Sequence, residues 1–192
     1  MKNNRHGKAA IWTDAVIKKM RQSIRSPQQR LIFEIGLCTG ERIGAIVQLK
    51  VSDVYAADGE VLESITFAGS SRKSSKHGLA KTRQVFVHEH LKTLLTQYQH
   101  TFDGYLFHSD RSGSGHITTK AVDKYWRNIL ETAGYYGYST HSNRRWVINK
   151  LRELGTEVSI IAETLAIDIA TVRKYLDDDP KQCQKAISLL PV

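Results

Sequence analysis

Hydrophobic positions recur along this chain with two different periods. Val16, Ile17, Met20 and Ile24 fall on one face of a helix predicted over Asp14–Ile24, with Thr13-Asp14 in front of it as a cap. Ser26-Pro27 ends that helix and opens the next, since proline fits the first helical position. Gln28–Cys38 is strongly apolar, with Leu31, Ile32, Phe33, Ile35 and Leu37, and Thr39-Gly40 breaks it; Gly40 is expected to supply a positive φ. Arg42 then opens a helix that buries Ile43, Ile46, Val47 and Leu49. Here the period changes. Glu60–Phe67 and Thr82–Val87 alternate as strands do. Between them, Ala68–Lys81 is a long, polar, basic hairpin loop.

Helical spacing then returns. Leu91, Leu94, Leu95 and Tyr98 mark one helix, Gly104–Phe107 is a short extended piece, and Ser112–Gly115 is a turn. Thr118-Thr119 caps a helix over Lys120–Ala133 that turns Val122, Tyr125, Trp126, Ile129 and Leu130 inward. After the loop Gly134–Tyr138, residues His141–Leu154 form a helix with Val147, Ile148, Leu151 and Leu154 on one face, and Gly155 caps it. Two short helices follow, over Glu157–Leu165 and Thr171–Leu176. Asp177–Pro180 stops the second, and Lys181–Leu190 reads as an amphipathic tail helix. The fold class this predicts is mainly α with a small antiparallel β-sheet at one edge (α+β).

Composition narrows the partner. The chain has 192 residues, enough for one sizeable core, with a net charge of +9 and a pI near 9.6. That charge points to a polyanion, and double-stranded DNA is the expected partner. Residues 1–10 form a basic arm without the apolar core of a signal peptide, and no apolar run is long enough to cross a membrane. Cys38 and Cys183 give neither a disulfide framework nor a metal spacing. His88-Glu89-His90 resembles a metal motif but has no further ligand cluster and reads as a solvated helix start. A cytoplasmic, nucleoid-associated protein without metal or cofactor is expected.

Two stretches carry candidate chemistry: Thr39-Gly40-Glu41-Arg42-Ile43, and His141-Ser142-Asn143-Arg144-Arg145 followed by Tyr175. Guanidinium forks bind phosphate oxygens bidentately, histidine donates or shuttles protons, and tyrosine can act as a covalent nucleophile. His141 and Arg144, three apart, share one side of a helical first turn. A second pattern overlaps the end of the set. Ile161–Leu176 resembles a helix-turn-helix, which would make Thr171–Tyr175 a recognition helix and Tyr175 a DNA contact.

Taken in order, the boxes resemble those of the tyrosine recombinases, the phage integrase family. The first is similar to T-G-x-R-[IV], the second to H-x-L-R-[HR], and Tyr175 falls where that family places its nucleophile. The resemblance covers nearly all of the chain after Ala10. It implies a catalytic domain over residues 11–179 that cuts and rejoins DNA through a 3′-phosphotyrosyl link, without metal or cofactor. It implies that Arg42 and Arg144 hold the scissile phosphate and that His141 assists. A lysine at the start of the hairpin loop would protonate the leaving 5′-oxygen: Lys73, or second Lys76. Arg72, Lys76, Arg145, Arg173 and Lys174 are the candidate DNA contacts. Residues 180–192 would dock on a neighbouring subunit of a homo-oligomer, a tetramer on DNA.

Some positions differ from the family pattern. Ala45 stands where an acidic residue usually follows the first arginine, Ala166 or Ile167 where histidine or tryptophan precedes the nucleophile helix, and Asn143 where leucine is usual. The first two replacements predict slower chemistry, a substitute residue, or an inactive descendant acting as an architectural factor; Asn143 is a milder change. A non-catalytic DNA-binding regulator is the other alternative. The sequence has no upstream counterpart of the core-binding domain of most relatives; a naturally short member or a fragment is expected, and for a lone catalytic domain modest, salt-sensitive DNA affinity.

Overall fold

Capping chemistry sets the first helix boundaries. The computed structural model describes residues 9–72, 81–100, 103–176 and Ser188. In α1 (Asp14–Ser23), Thr13 Oγ1 accepts a hydrogen bond from Val16 N. In α2 (Pro27–Thr39), Ser26 Oγ accepts one from Gln29 N, with Pro27 in the first turn. Gly40 ends α2 at φ 62°, the left-handed position predicted for it. Thr118 caps α5 (Thr119–Thr132) through Ala121 N.

The helix expected from Arg42 onward is shorter than its pattern. α3 covers only Ile43–Ile46. The backbone beyond it is drawn into extended pairing instead: Leu106 N donates to Leu49 O and Val51 N to Gly104 O, both at 2.8 Å. Ile43, Ile46, Val47 and Leu49 are buried all the same. The strands are shorter too. β1 (Ser64–Phe67) and β2 (Arg83–Phe86) form a two-stranded antiparallel sheet with Ile65 opposite Val85. Val61 leaves the ladder to bridge Tyr55, and Leu62 N donates to Val54 O. The inward residues of the sheet are Ile65, Phe67 and Arg83, whereas Phe86 is exposed.

The chain divides into two compact units between Val147 and Ile148. In the first, α2 packs against α3 and α4 (Glu89–Gln97), and α1 against α5. Phe33 stands at the centre of its core, edge-on to Trp12 and to Trp126 with centroids 5.6 and 5.3 Å apart. His88 caps α4 and His90 Nε2 lies 3.2 Å from Glu34 Oε2, so this histidine pair has structural partners. Ala10 N donates to Gly137 O, which ties down the end of the basic arm. α6 (His141–Glu153) runs across the division. In the second unit, α7 (Val158–Leu165) contacts α8 (Ile169–Tyr175), and Ile148, Ile161, Ala162, Leu165 and Val172 are buried. Leu154, predicted inward, lies past the end of α6 and is exposed. Ala166, in the turn between α7 and α8, takes the left-handed conformation at φ 47°.

Among the described residues no helix is long and apolar enough to cross a membrane. Lys73, Lys76, the arm over residues 1–8 and the expected tail helix, Ser188 apart, lie outside the described residues.

One close approach in the first unit gives a prediction. A Cβ on Gly36 would stand 2.0 Å from Asn143 Nδ2. Asn143 cannot move aside freely, because Nδ2 donates to Phe33 O at 3.3 Å while Oδ1 accepts from Trp12 Nε1 at 2.6 Å. By helix propensity alone, Gly→Ala inside α2 would stabilise by about 1 kcal/mol. Overpacking and loss of a buried hydrogen bond together outweigh that, so Gly36→Ala is expected to destabilise by about 2 kcal/mol. A thermal melt should show the midpoint lowered by roughly 4–8 °C. An unchanged or higher midpoint would mean that Asn143 is not fixed.

Candidate active site

The first motif folds as a turn in which every residue has a separate task. Thr39 Oγ1 donates to Ile35 O at 2.7 Å and accepts from Glu41 N at 3.1 Å, which fixes the chain as it leaves α2. The carbonyl of Thr39 accepts from Arg83 Nη2 at 2.9 Å, and that of Gly40 from Arg144 Nη1 at 3.1 Å. Arg42 is the N-cap of α3 and half-buried; its backbone carbonyl accepts from Ala45 N and Ile46 N.

Glu41 occupies the centre. Its side chain is fully buried, and Oε2 lies 3.1 Å from Arg72 Nε and 3.0 Å from Arg83 Nη1. Oε1 accepts from Arg42 N at 2.8 Å and lies 3.5 Å from Arg144 Nη1. Burial alone would push this carboxyl up. The Arg42 amide and the charges of Arg144, Arg72 and Arg83 outweigh burial and hold it below its ordinary value. Glu34 behaves alike: burial raises it, but Arg21 and Arg30 bring it below the ordinary value.

The second motif opens α6. Ser142 N donates to Ser139 O at 2.9 Å, and Ser139 N donates back to Ser142 Oγ at 3.1 Å. This closed turn presents His141, which is exposed, beside the buried Arg144. Asn143 points to the opposite side, into the core, and Arg145 is buried with Nη1 donating to Ala9 O.

These elements surround an open cleft of about 700 Å³. Arg42, Arg72, His141 and Arg144 line it, together with Lys120, Asp123 and Arg127 of α5. Asp123 pairs with Arg127 and accepts weakly from Thr140 N at 3.4 Å, which joins α5 to the start of α6. With one aspartate among so many cations, the cleft suits an anion.

The structure therefore brings Arg42, His141, Arg144 and Arg72 together. Tyr175 lies at the end of α8 in the second unit, half-buried, and its backbone carbonyl accepts from Asn149 Nδ2 at 3.0 Å. Arg173 and Lys174 are exposed on the same helix. The guanidiniums of Arg72 and Arg145 are internal, bound to Glu41 and Ala9. Sequence reasoning missed Glu41, Lys120 and Arg127. An acid beside an arginine in the first motif was the available sign of Glu41. The i, i+4 spacing of Asp123 and Arg127 was that of the α5 pair.

The buried carboxylates give a pH prediction. A group whose pKa is lowered by folding stabilises the fold above the unfolded value, 4.5 for Glu34 and Glu41, and that stability is lost as pH falls through the lower folded value. The urea midpoint is therefore expected to fall steeply below pH 4.5, and Glu34→Gln to flatten that fall while lowering the midpoint at pH 7. A midpoint independent of pH in this range would mean that these pairs do not stabilise the fold.

The sequence profile of the phage integrase family matches residues 13–182, and the chain belongs to that family. Among solved structures, the catalytic domain of bacteriophage HP1 integrase is similar over 96% of this chain and 97% of its own length, at 20% identity and a TM-score of 0.64. XerA recombinase is similar over 96% of this chain and 64% of its own, at 19% identity and a TM-score of 0.71. The XerH site-specific recombinase, bound to palindromic difH substrate in a post-cleavage complex, covers 98% of this chain and 55% of its own length, at 19% identity and a TM-score of 0.71. At such identities these likenesses show the fold, that of tyrosine-recombinase catalytic domains. The chain spans less than two thirds of XerA and XerH. Comparison with curated proteins by sequence returns no match.

Proposed function

We propose that this chain is a DNA strand transferase that cleaves and rejoins strands through a covalent phosphotyrosyl intermediate. The observation that carries the reading is the convergence of Arg42, Arg144 and His141 on one cationic cleft, in a chain of the phage integrase family. Arg42 and Arg144 hold the non-bridging oxygens and stabilise the charge that grows in the transition state. Tyr175 attacks phosphorus, its phenol proton leaves, and the bond to the 5′-oxygen breaks. His141 donates a hydrogen bond or moves a proton. Lys73, or Lys76, gives the 5′-oxygen its proton. A 5′-hydroxyl then reverses the step and reseals the strand. The bond energy stays in the intermediate, so the reading requires neither metal nor nucleotide.

The substrate is double-stranded DNA, supported by the net charge of +9 and by the DNA-bound XerH structure. Arg173 and Lys174 are the proposed backbone contacts, and a tetramer on DNA is the proposed assembly. Incubation with nicked suicide duplexes taken from around its own gene tests the reading. A protein–DNA adduct stable to SDS is the expected product. Specific binding with no adduct would favour the regulator, for which α7, its turn and α8 are the helix-turn-helix.

A further inference from the structure

We infer that Glu41 is the positioning residue of this site: one buried carboxylate that fixes Arg144 in the cleft and, through Arg72, the backbone at Lys81. The inference rests on the strand-transfer reading and deepens it. The sequence pattern lacks an acid at position 45, within α3, but has one at position 41, just before the N-cap of that helix. Ala45 is buried and lines the cleft without charge, while Glu41 meets three guanidiniums and the Arg42 amide. One anion can satisfy several arginines from two oxygens. A neutral amide in its place has only one oxygen, and its NH₂ faces guanidinium donors.

The second link runs forward along the chain. Arg72 Nε binds Glu41, and Arg72 Nη1 donates to Lys81 O at 2.7 Å. Gly69 N also donates to Thr82 Oγ1 at 3.2 Å. This bridge ties the described backbone at Arg72 and at Lys81 to Glu41. The proposed phosphate-binding arginine and the backbone at Lys81 are thus indexed to the same carboxylate. Positioning of this kind acts on the transition state more than on ground-state binding. DNA affinity, which exposed cations supply, should change little.

The test uses Glu41→Gln and Glu41→Asp in the full chain. It compares thermal melts, DNA Kd by fluorescence anisotropy and single-turnover cleavage of nicked suicide duplexes. The Arg144 Nε–Hε NMR resonance, assigned with Arg144→Lys, is followed as well. Glu41→Gln is expected to keep Kd within about threefold and to lower the cleavage rate about 100-fold. Glu41→Asp keeps the charge but is one methylene short; it should fold and cleave about tenfold more slowly than the parent. Full cleavage rate in either folded variant overturns the inference. So does a loss of rate that only follows the loss of folded protein. If the parent forms no adduct, the strand-transfer reading fails and the resonance decides the geometry alone. A shifted, broadened signal in Glu41→Gln upholds the role, and an unchanged one rejects it.

Discussion

A Tyr175→Phe chain is expected to bind DNA as the parent does and to leave no SDS-stable adduct on it. The phenol oxygen is the atom that would form the bond to phosphorus, and removing a nucleophile costs at least about 10⁴-fold in rate. Val172, one turn earlier, is buried, and phenylalanine keeps the backbone carbonyl that accepts from Asn149 Nδ2. Gel retardation and denaturing electrophoresis of the same reaction separate the two effects. An adduct that persists in Tyr175→Phe would assign the nucleophile to another residue. A loss of binding in parallel with the adduct would assign Tyr175 to recognition, as the helix-turn-helix reading requires.

Arg42→Ala should divide activity from stability in the opposite sense to a core substitution. The Arg42 guanidinium lines the cleft, and among the described residues no hydrogen bond or ion pair engages it. Its backbone does the structural work: the amide donates to Glu41 Oε1, and the carbonyl opens α3 through Ala45 N and Ile46 N. Alanine preserves both. Cleavage is therefore expected to fall by about 10²–10³, the usual effect of removing one donor to a developing charge. The thermal midpoint should stay within about 2 °C, as for a substitution that breaks no buried contact. A midpoint lowered by 10 °C or more would make Arg42 structural. Arg144 gives the contrast. It is buried, donates to Gly40 O and pairs with Glu41, so its loss should damage fold and chemistry together.

The helices were legible because their signals are local. Ser26-Pro27 opens α2 and Gly40 closes it within one stretch of chain, and the apolar stripe between them has the helical period. The two motifs could likewise be read as one set, and Arg42, His141 and Arg144 do line one cleft. What could not be read is held by distant partners. Glu41 occupies a position where the family pattern accepts any residue. Its meaning comes from Arg72 and Arg83, 31 and 42 positions away, and from Arg144, 103 positions away. The short α3 has the same cause, because pairing with residues 104–106 overrides the local preference for helix. β2 misled in another way. Its alternation is real, but the residue it buries deepest is Arg83, and Phe86, its most apolar side chain, faces solvent.

Asn143 carries a consequence of another kind. It receives the indole proton of Trp12, whose ring stacks on Tyr138 at 4.9 Å, and it immediately precedes Arg144 on α6. Indole emission depends on that proton's hydrogen bond and on the neighbouring ring. The helix that shows Arg144 to the cleft therefore shows the hydrogen-bond partner of a fluorophore to the core. Trp12 is thus an optical label on the core side of α6, and a rotation of α6 that breaks its bond to Asn143 is expected to shift its emission.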